Sequence, residues 1–216
     1  VGALAYLGDE AVVLKTAIEA GSVTVARGVL DTVPVPHAAG TRLWVPGADD
    51  CGYDDTEVPE DATVTAKCLT RTGRGVLAEE DAPADTLTFV ARAFRPLPPG
   101  NVKLNGAYFP ASIEGELTVT WAHRDRIQQT TPQIIEQDAG NIGPEAGTTY
   151  TVRAYDETDT LRRTVTGLTG NTWTWDTEES DSGLTGRLNT SLRVEVESVR
   201  DGYESLQMWN VSTTRA

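Results

Sequence analysis

A chain of 216 residues with a net charge of −14 and no Lys/Arg cluster cannot neutralise a phosphate backbone, which excludes nucleic acid as a partner class. Its apolar runs are a few residues long, too short for a membrane-spanning helix, and the N-terminus lacks the basic, apolar and small-residue succession of a signal peptide. The length suits two ordinary domains, each of roughly 100 residues and able to bury its own core.

The first stretch, Gly2 to Val45, is punctuated every several residues. Tyr6-Leu7-Gly8-Asp9-Glu10 leads into a strand at Ala11–Lys15, Glu19-Ala20-Gly21-Ser22 forms a hairpin turn, and Val23–Arg27 returns. Pro34 and Pro36 forbid a regular ladder, so Asp31–Gly40 is predicted as a loop; Thr41–Val45 resumes as a strand. Gly47–Asp61 is acidic and rich in turn residues. A strand at Ala62–Thr70, a turn at Arg71-Thr72-Gly73-Arg74-Gly75 and a strand at Thr86–Ala91 complete a small β-barrel or meander over residues 1–94. Arg95-Pro96-Leu97-Pro98-Pro99-Gly100 then reads as an extended, semi-rigid linker.

Residues 101–216 hold seven strand candidates at the intervals of a β-sandwich: Asn101–Leu104, Gly115–Trp121, Thr149–Tyr155, Leu161–Val165, Thr172–Trp175, Leu192–Val199 and Leu206–Val211. In the second of these, Leu117, Val119 and Trp121 alternate with Thr118 and Thr120, the period of a strand with one buried face. A tryptophan there removes ~150–250 Å² of surface when neighbouring strands close over it. Helix has little foothold, since the best window, Ile127–Gln137, is interrupted by Pro132. The expected class is therefore all-β.

Residues with chemical potential are few. Cys51 and Cys68 lack the Cys-x-x-Cys spacing of a zinc site; one disulfide and two unrelated thiols are equally compatible with them. His37 and His123 are the only histidines. No strand–Gly-x-Ser-x-Gly–helix setting accompanies them, so a turn contact for His37 and an edge or loop contact for His123 are expected rather than catalysis. Acids such as Asp54 and Glu178 read as solvated loop residues, not as a glycosidase pair. Calcium is the sharper alternative for Asp49–Glu57 or Asp176–Asp181, although neither run matches a twelve-residue calcium loop. Arg71–Gly75 lacks the Gly-Lys-Ser/Thr ending of a phosphate cradle and reads as a turn. Trp173 and Trp175 share one strand face: inward they are core, the favoured reading, and outward they form a strip for sugar stacking or protein docking. No catalytic, cofactor-binding or metal-ligating residue is assigned.

Trp121, the strand Thr148–Tyr155, Val165-Thr166-Gly167-Leu168-Thr169 and Val199-Arg200-Asp201-Gly202-Tyr203-Glu204-Ser205 together resemble a fibronectin type III domain. The connection Arg126–Gly147 and the excursion Asp176–Arg187 depart from the common form, and are where partner contacts are expected. The whole chain is also similar to the C-terminal region of tail-hub or tail-tip proteins of long-tailed bacteriophages and gene-transfer agents. Gly8-Asp9-Glu10, Ala26–Thr32, His37–Gly40 before Leu43-Trp44-Val45, Thr70–Gly75 and Arg95–Val102 carry this resemblance. It implies a non-catalytic, virion-located structural part, oligomeric within the tail (a trimer is one such arrangement), contacting other tail or baseplate proteins and a host glycan or protein. It also matches a chain whose only methionine is Met208, which reads as a piece of a longer polypeptide, as processing would equally leave it. The sequons Asn189-Thr190-Ser191 and Asn210-Val211-Ser212 carry no meaning in a protein made in bacterial cytoplasm. The rival readings are a stand-alone carbohydrate-binding module using Trp173 and Trp175, and an accessory domain of a cell-wall hydrolase.

Overall fold

The computed structural model describes residues 2–47, 55–128, 136–138 and 140–216. It is all-β, and the chain divides into two compact units. One joins Val1–Cys51 to Arg95–Ala216; the other is Gly52–Phe94.

In the first unit, β1 (Leu4–Leu7) and β2 (Glu10–Leu14) form a tight hairpin in which Leu7 opposes Glu10. Gly8 takes the left-handed conformation that the turn needs (φ 58°). The Glu19–Ser22 turn leads to β3 (Val25–Ala26) on β2, and β4 (Leu43–Trp44) pairs with β1. The order β3-β2-β1-β4 is an open sheet, so of barrel and meander the meander is the one present.

The second unit carries β5 (Thr63–Lys67) paired with β8 (Ala84–Thr88), and a small hairpin of β6 (Arg71–Thr72) and β7 (Gly75–Val76) at the expected Arg71–Gly75 turn. Among its described residues only Ala82 and Ala91 are buried.

The sandwich follows. A three-stranded sheet is built from β9 (Gly100–Leu104), β11 (Thr118–Ala122) and β14 (Thr172–Thr174), in the order β14-β11-β9. The facing sheet runs β10-β17-β15-β12-β13, from β10 (Ser112–Ile113), β12 (Thr149–Tyr155), β13 (Leu161–Leu168), β15 (Ser191–Arg200) and β17 (Trp209–Arg215), with β16 (Tyr203–Glu204) on β15. Alternation places Val102, Leu104, Val119, Trp121, Tyr150, Val152, Val194, Val196 and Trp209 in one core. Among the described residues the one α-helical turn, α1 (Glu178–Asp181), lies in the Asp176–Arg187 excursion.

The expected division into 1–94, a linker at 95–100 and 101–216 differs from this partition. Val33, in the loop after β3, is part of the sandwich core, and its N–H donates to the Gln207 side chain at 2.9 Å. Pro96 to Gly100 are buried rather than spanning a gap, and the Trp209 indole N–H donates to the Pro99 carbonyl at 2.6 Å. Prolines bring no backbone N–H, so a proline run can be buried without stranding donors. In the Arg126–Gly147 connection, Gln137 is buried. Gln137 N donates to the Arg27 carbonyl, and Asn101 N donates to the Gln137 side chain at 2.6 Å. A Cβ at Gly100 would sit 2.3 Å from the Gln137 carbonyl, so glycine is required at that crossing.

Candidate binding surface

Polar groups in the first unit are mostly committed to one another. Glu10, 1 % exposed, lies at the head of β2, a strand buried along its whole length. Its carboxylate accepts a fork from Arg27 (Nε 2.7 Å, Nη2 2.6 Å) and the backbone N–H of Gly28 (2.8 Å), and lies 2.8 Å from His37 Nε2. This centre fastens the proline-containing loop to the sheet. Instead of the expected turn contact, His37 meets an acid 27 positions away, a partner no local pattern could reveal. Burial pushes the Glu10 carboxyl up, while the bonds from Arg27, His37 and Gly28 together outweigh it and leave the carboxyl below its ordinary value.

Glu145, buried and forked by Arg126 (2.8 and 2.6 Å), is likewise lowered, chiefly by that fork. Asp156 is lowered despite its burial by bonds from Thr158, Arg162 and Thr160. A carboxyl whose folded value is depressed binds fewer protons in the native state, so its contribution is present above the unfolded value and lost as pH falls through the folded one. The contribution of these carboxyls is therefore expected to be lost as pH falls below the ordinary values of 4.5 for Glu10 and Glu145 and 3.8 for Asp156. Urea unfolding across pH 7 to 3, on the order of a few points, checks this; Glu10→Gln should flatten the acid limb.

His123 Nδ1 lies 2.7 Å from the Tyr150 hydroxyl. Burial holds the Tyr150 phenol above its usual range and the His123 imidazole below its own. This is a contact at the end of β11, with no serine or cysteine nucleophile in the pair.

The acidic excursion at Asp176–Asp181 is bound up internally. Glu178, 1 % exposed, accepts from Arg215 Nη2 at 2.8 and 2.6 Å and from Asn189 N and Nδ2 at 2.8 and 3.0 Å. Asp181 accepts the Trp175 indole N–H at 2.9 Å. The expectation of Glu178 as a solvated loop acid is corrected by this geometry, because Arg215 satisfies it from within. Among the described residues no group of three or more His, Cys, Asp or Glu could hold a metal. Most of the other proposed calcium stretch, together with Asp54 and Cys51, lies outside the described residues, while Cys68 is an exposed free thiol.

An outward tryptophan strip is also overturned. Trp175 is fully buried and Trp173 packs against the core beside it, ring centroids 6.4 Å apart. The strand face they share is the inner one, as the core reading expected.

A groove of about 750 Å³ opens to solvent on the outer face of the larger sheet. Its floor is the outward row of β15 and β17, where Arg193 opposes Ser212 and Ser191 opposes Thr214, with Asn210 alongside. One wall is Pro36 with Phe109–Ala111, the other the turn between β12 and β13. Arg193 lies 3.6 Å over the Tyr155 ring and donates to Asp159 at 2.6 Å and to Glu195. The sequence points neither to this groove nor to its residues, since register across three strands is needed to assemble it. A scan against protein-family models finds no match, and a search of curated proteins finds none.

Proposed function

We propose that the chain is a non-catalytic structural segment of a phage-like tail tip, oligomeric within the tail, that contacts neighbouring tail or baseplate proteins and the host surface. The observation that carries an assembly role is the β5–β8 ribbon. Val64 opposes Leu87 and, two pairs on beyond Thr63 and Thr88, Phe89 N donates to the Ala62 carbonyl; alternation puts these on one face, and Thr63, Thr65, Thr86 and Thr88 on the other. The apolar face is bare: Val64 is 43 %, Leu87 63 % and Phe89 36 % exposed. A two-stranded ribbon is marginal in water, and an amphipathic one with its apolar side uncovered is suited to burial against another chain. The resemblance to tail-hub proteins supplies the setting. A hydrolase accessory role has less support, because the buried acids are bound to arginines.

The test is incorporation. Val64→Lys combined with Leu87→Lys is expected to lower the amount of the chain found in assembled tail particles by at least about tenfold, equivalent to ~1.4 kcal/mol of lost contact. The melting of the sandwich should stay unchanged, because neither residue belongs to its core. Normal incorporation of the double variant would overturn the role of the ribbon.

A further inference from the structure

We propose that the groove over β15 and β17 is a binding site for an uncharged saccharide, with a sugar ring against Phe109 and its hydroxyls on Asn210, Ser212, Arg193 and Asp159. The proposal deepens the host-contact part of the function above and rests on that reading for its setting.

Charge decides the ligand class. Each ionised group at the groove already has a counter-charge: Arg193 bonds Asp159 and Glu195, Arg162 bonds Asp156, and Arg187 forks Glu157 at 3.0 and 2.9 Å. A cationic or anionic ligand would have to compete with pairs made within the chain. Hydrogen-bonding capacity is not used up in the same way. A carboxylate offers about four lone-pair sites and a guanidinium five N–H donors, and Asn210 and Ser212 are exposed beside them. A ligand rich in hydroxyls can both donate to the carboxylates and accept from the guanidinium and amide. Phe109, 36 % exposed, adds an apolar ring face at the wall, the partner that the C–H face of a sugar ring requires.

The groove is also held open. Thr214 N and Oγ1 both donate to the Ala111 carbonyl, at 3.2 and 2.8 Å, which fixes one wall to the floor. Phe109 is braced by Trp209, ring centroids 5.6 Å apart. At the opposite wall the Asp156 carboxylate caps its own turn through Thr158 N (2.8 Å) and Thr160 N (3.0 Å). A site fixed before binding spends little conformational entropy on ligand capture.

The experiment is a titration of the isotope-labelled 216-residue chain with short neutral oligomers of glucose, galactose and N-acetylglucosamine, followed by amide chemical shifts. Saturable shifts confined to β15, β17 and the Phe109 loop are expected for at least one of them. Affinity should fall by about tenfold or more in Phe109→Ala and in Asn210→Ala combined with Ser212→Ala, ~1.4 kcal/mol, and stay unchanged in Trp173→Ala. No saturable shift with any neutral oligomer overturns the site. So does tighter binding of oligogalacturonate, which would make it an anion site, or of a neutral Ser/Thr-rich peptide, which would make it a peptide groove. Incorporation of the ribbon variant is measured separately, so failure of the saccharide site and failure of the assembly role are distinguishable.

Discussion

Arg215→Ala is expected to lower unfolding stability by about 3–5 kcal/mol, the range for removing one partner of a buried ion pair. Arg215 sits at the end of β17, and its guanidinium meets both oxygens of Glu178, whose side chain has no exposed surface. Without it, the Glu178 carboxylate keeps only the Asn189 donors, and a buried anion held by amides alone is poorly compensated. The arginine also donates through Nε to the Asn189 carbonyl at 2.9 Å, so the loss frees the end of the excursion around α1. Urea unfolding at pH 7 measures the effect. Glu178→Gln on the Arg215→Ala background should recover part of it, because the uncompensated charge is then gone. A loss under about 1 kcal/mol for Arg215→Ala would place the pair in the solvated class.

Trp209→Ala is the second large effect, about 3–5 kcal/mol for truncating a buried aromatic side chain. Trp209 is 1 % exposed, belongs to the sandwich core and braces Phe109. Its indole N–H also satisfies the buried Pro99 carbonyl at 2.6 Å. Trp209→Phe separates the two contributions: most of the ring packing survives, while one buried acceptor loses its partner at a cost of about 1–3 kcal/mol. Both variants should make the 95–100 segment more readily cleaved in limited proteolysis, since that segment is held down through this bond.

The sandwich strands were the most legible part of the chain. Tyr150, Val152 and Ala154 alternate with polar residues and delimit β12 at Thr149–Tyr155; Trp121 and Trp175 are core, as the alternation around them indicates. Two-residue strands such as β10 were not visible, because two residues show no period and a parallel pairing with β17 carries no local turn signal. The burial of the proline run is not legible, because composition records that Pro96–Pro99 is extended but not whether another surface covers it. The acids were illegible for a related reason. Glu10 and Glu178 look like any surface carboxylates until Arg27 and Arg215, 17 and 37 positions away, are brought to them. The groove is further from the sequence still, since Ser212 and Arg193 become neighbours only through strand register.

The insertion of Gly52–Phe94 between two stretches of one compact unit bears on how the chain acquires its structure during synthesis. Val33 is bonded to Gln207, 174 positions later, and Trp209 to Pro99, 110 positions earlier. Contacts of such separation raise contact order and slow the search for the native state. The β1–β4 sheet is synthesised before β17, and its junction with the sandwich core is completed only once β17 has emerged. Until then Val33 has no core to enter, so the nascent chain carries an unfinished surface between the synthesis of Val33 and that of Gln207, the interval in which chaperone capture and misassembly compete with folding.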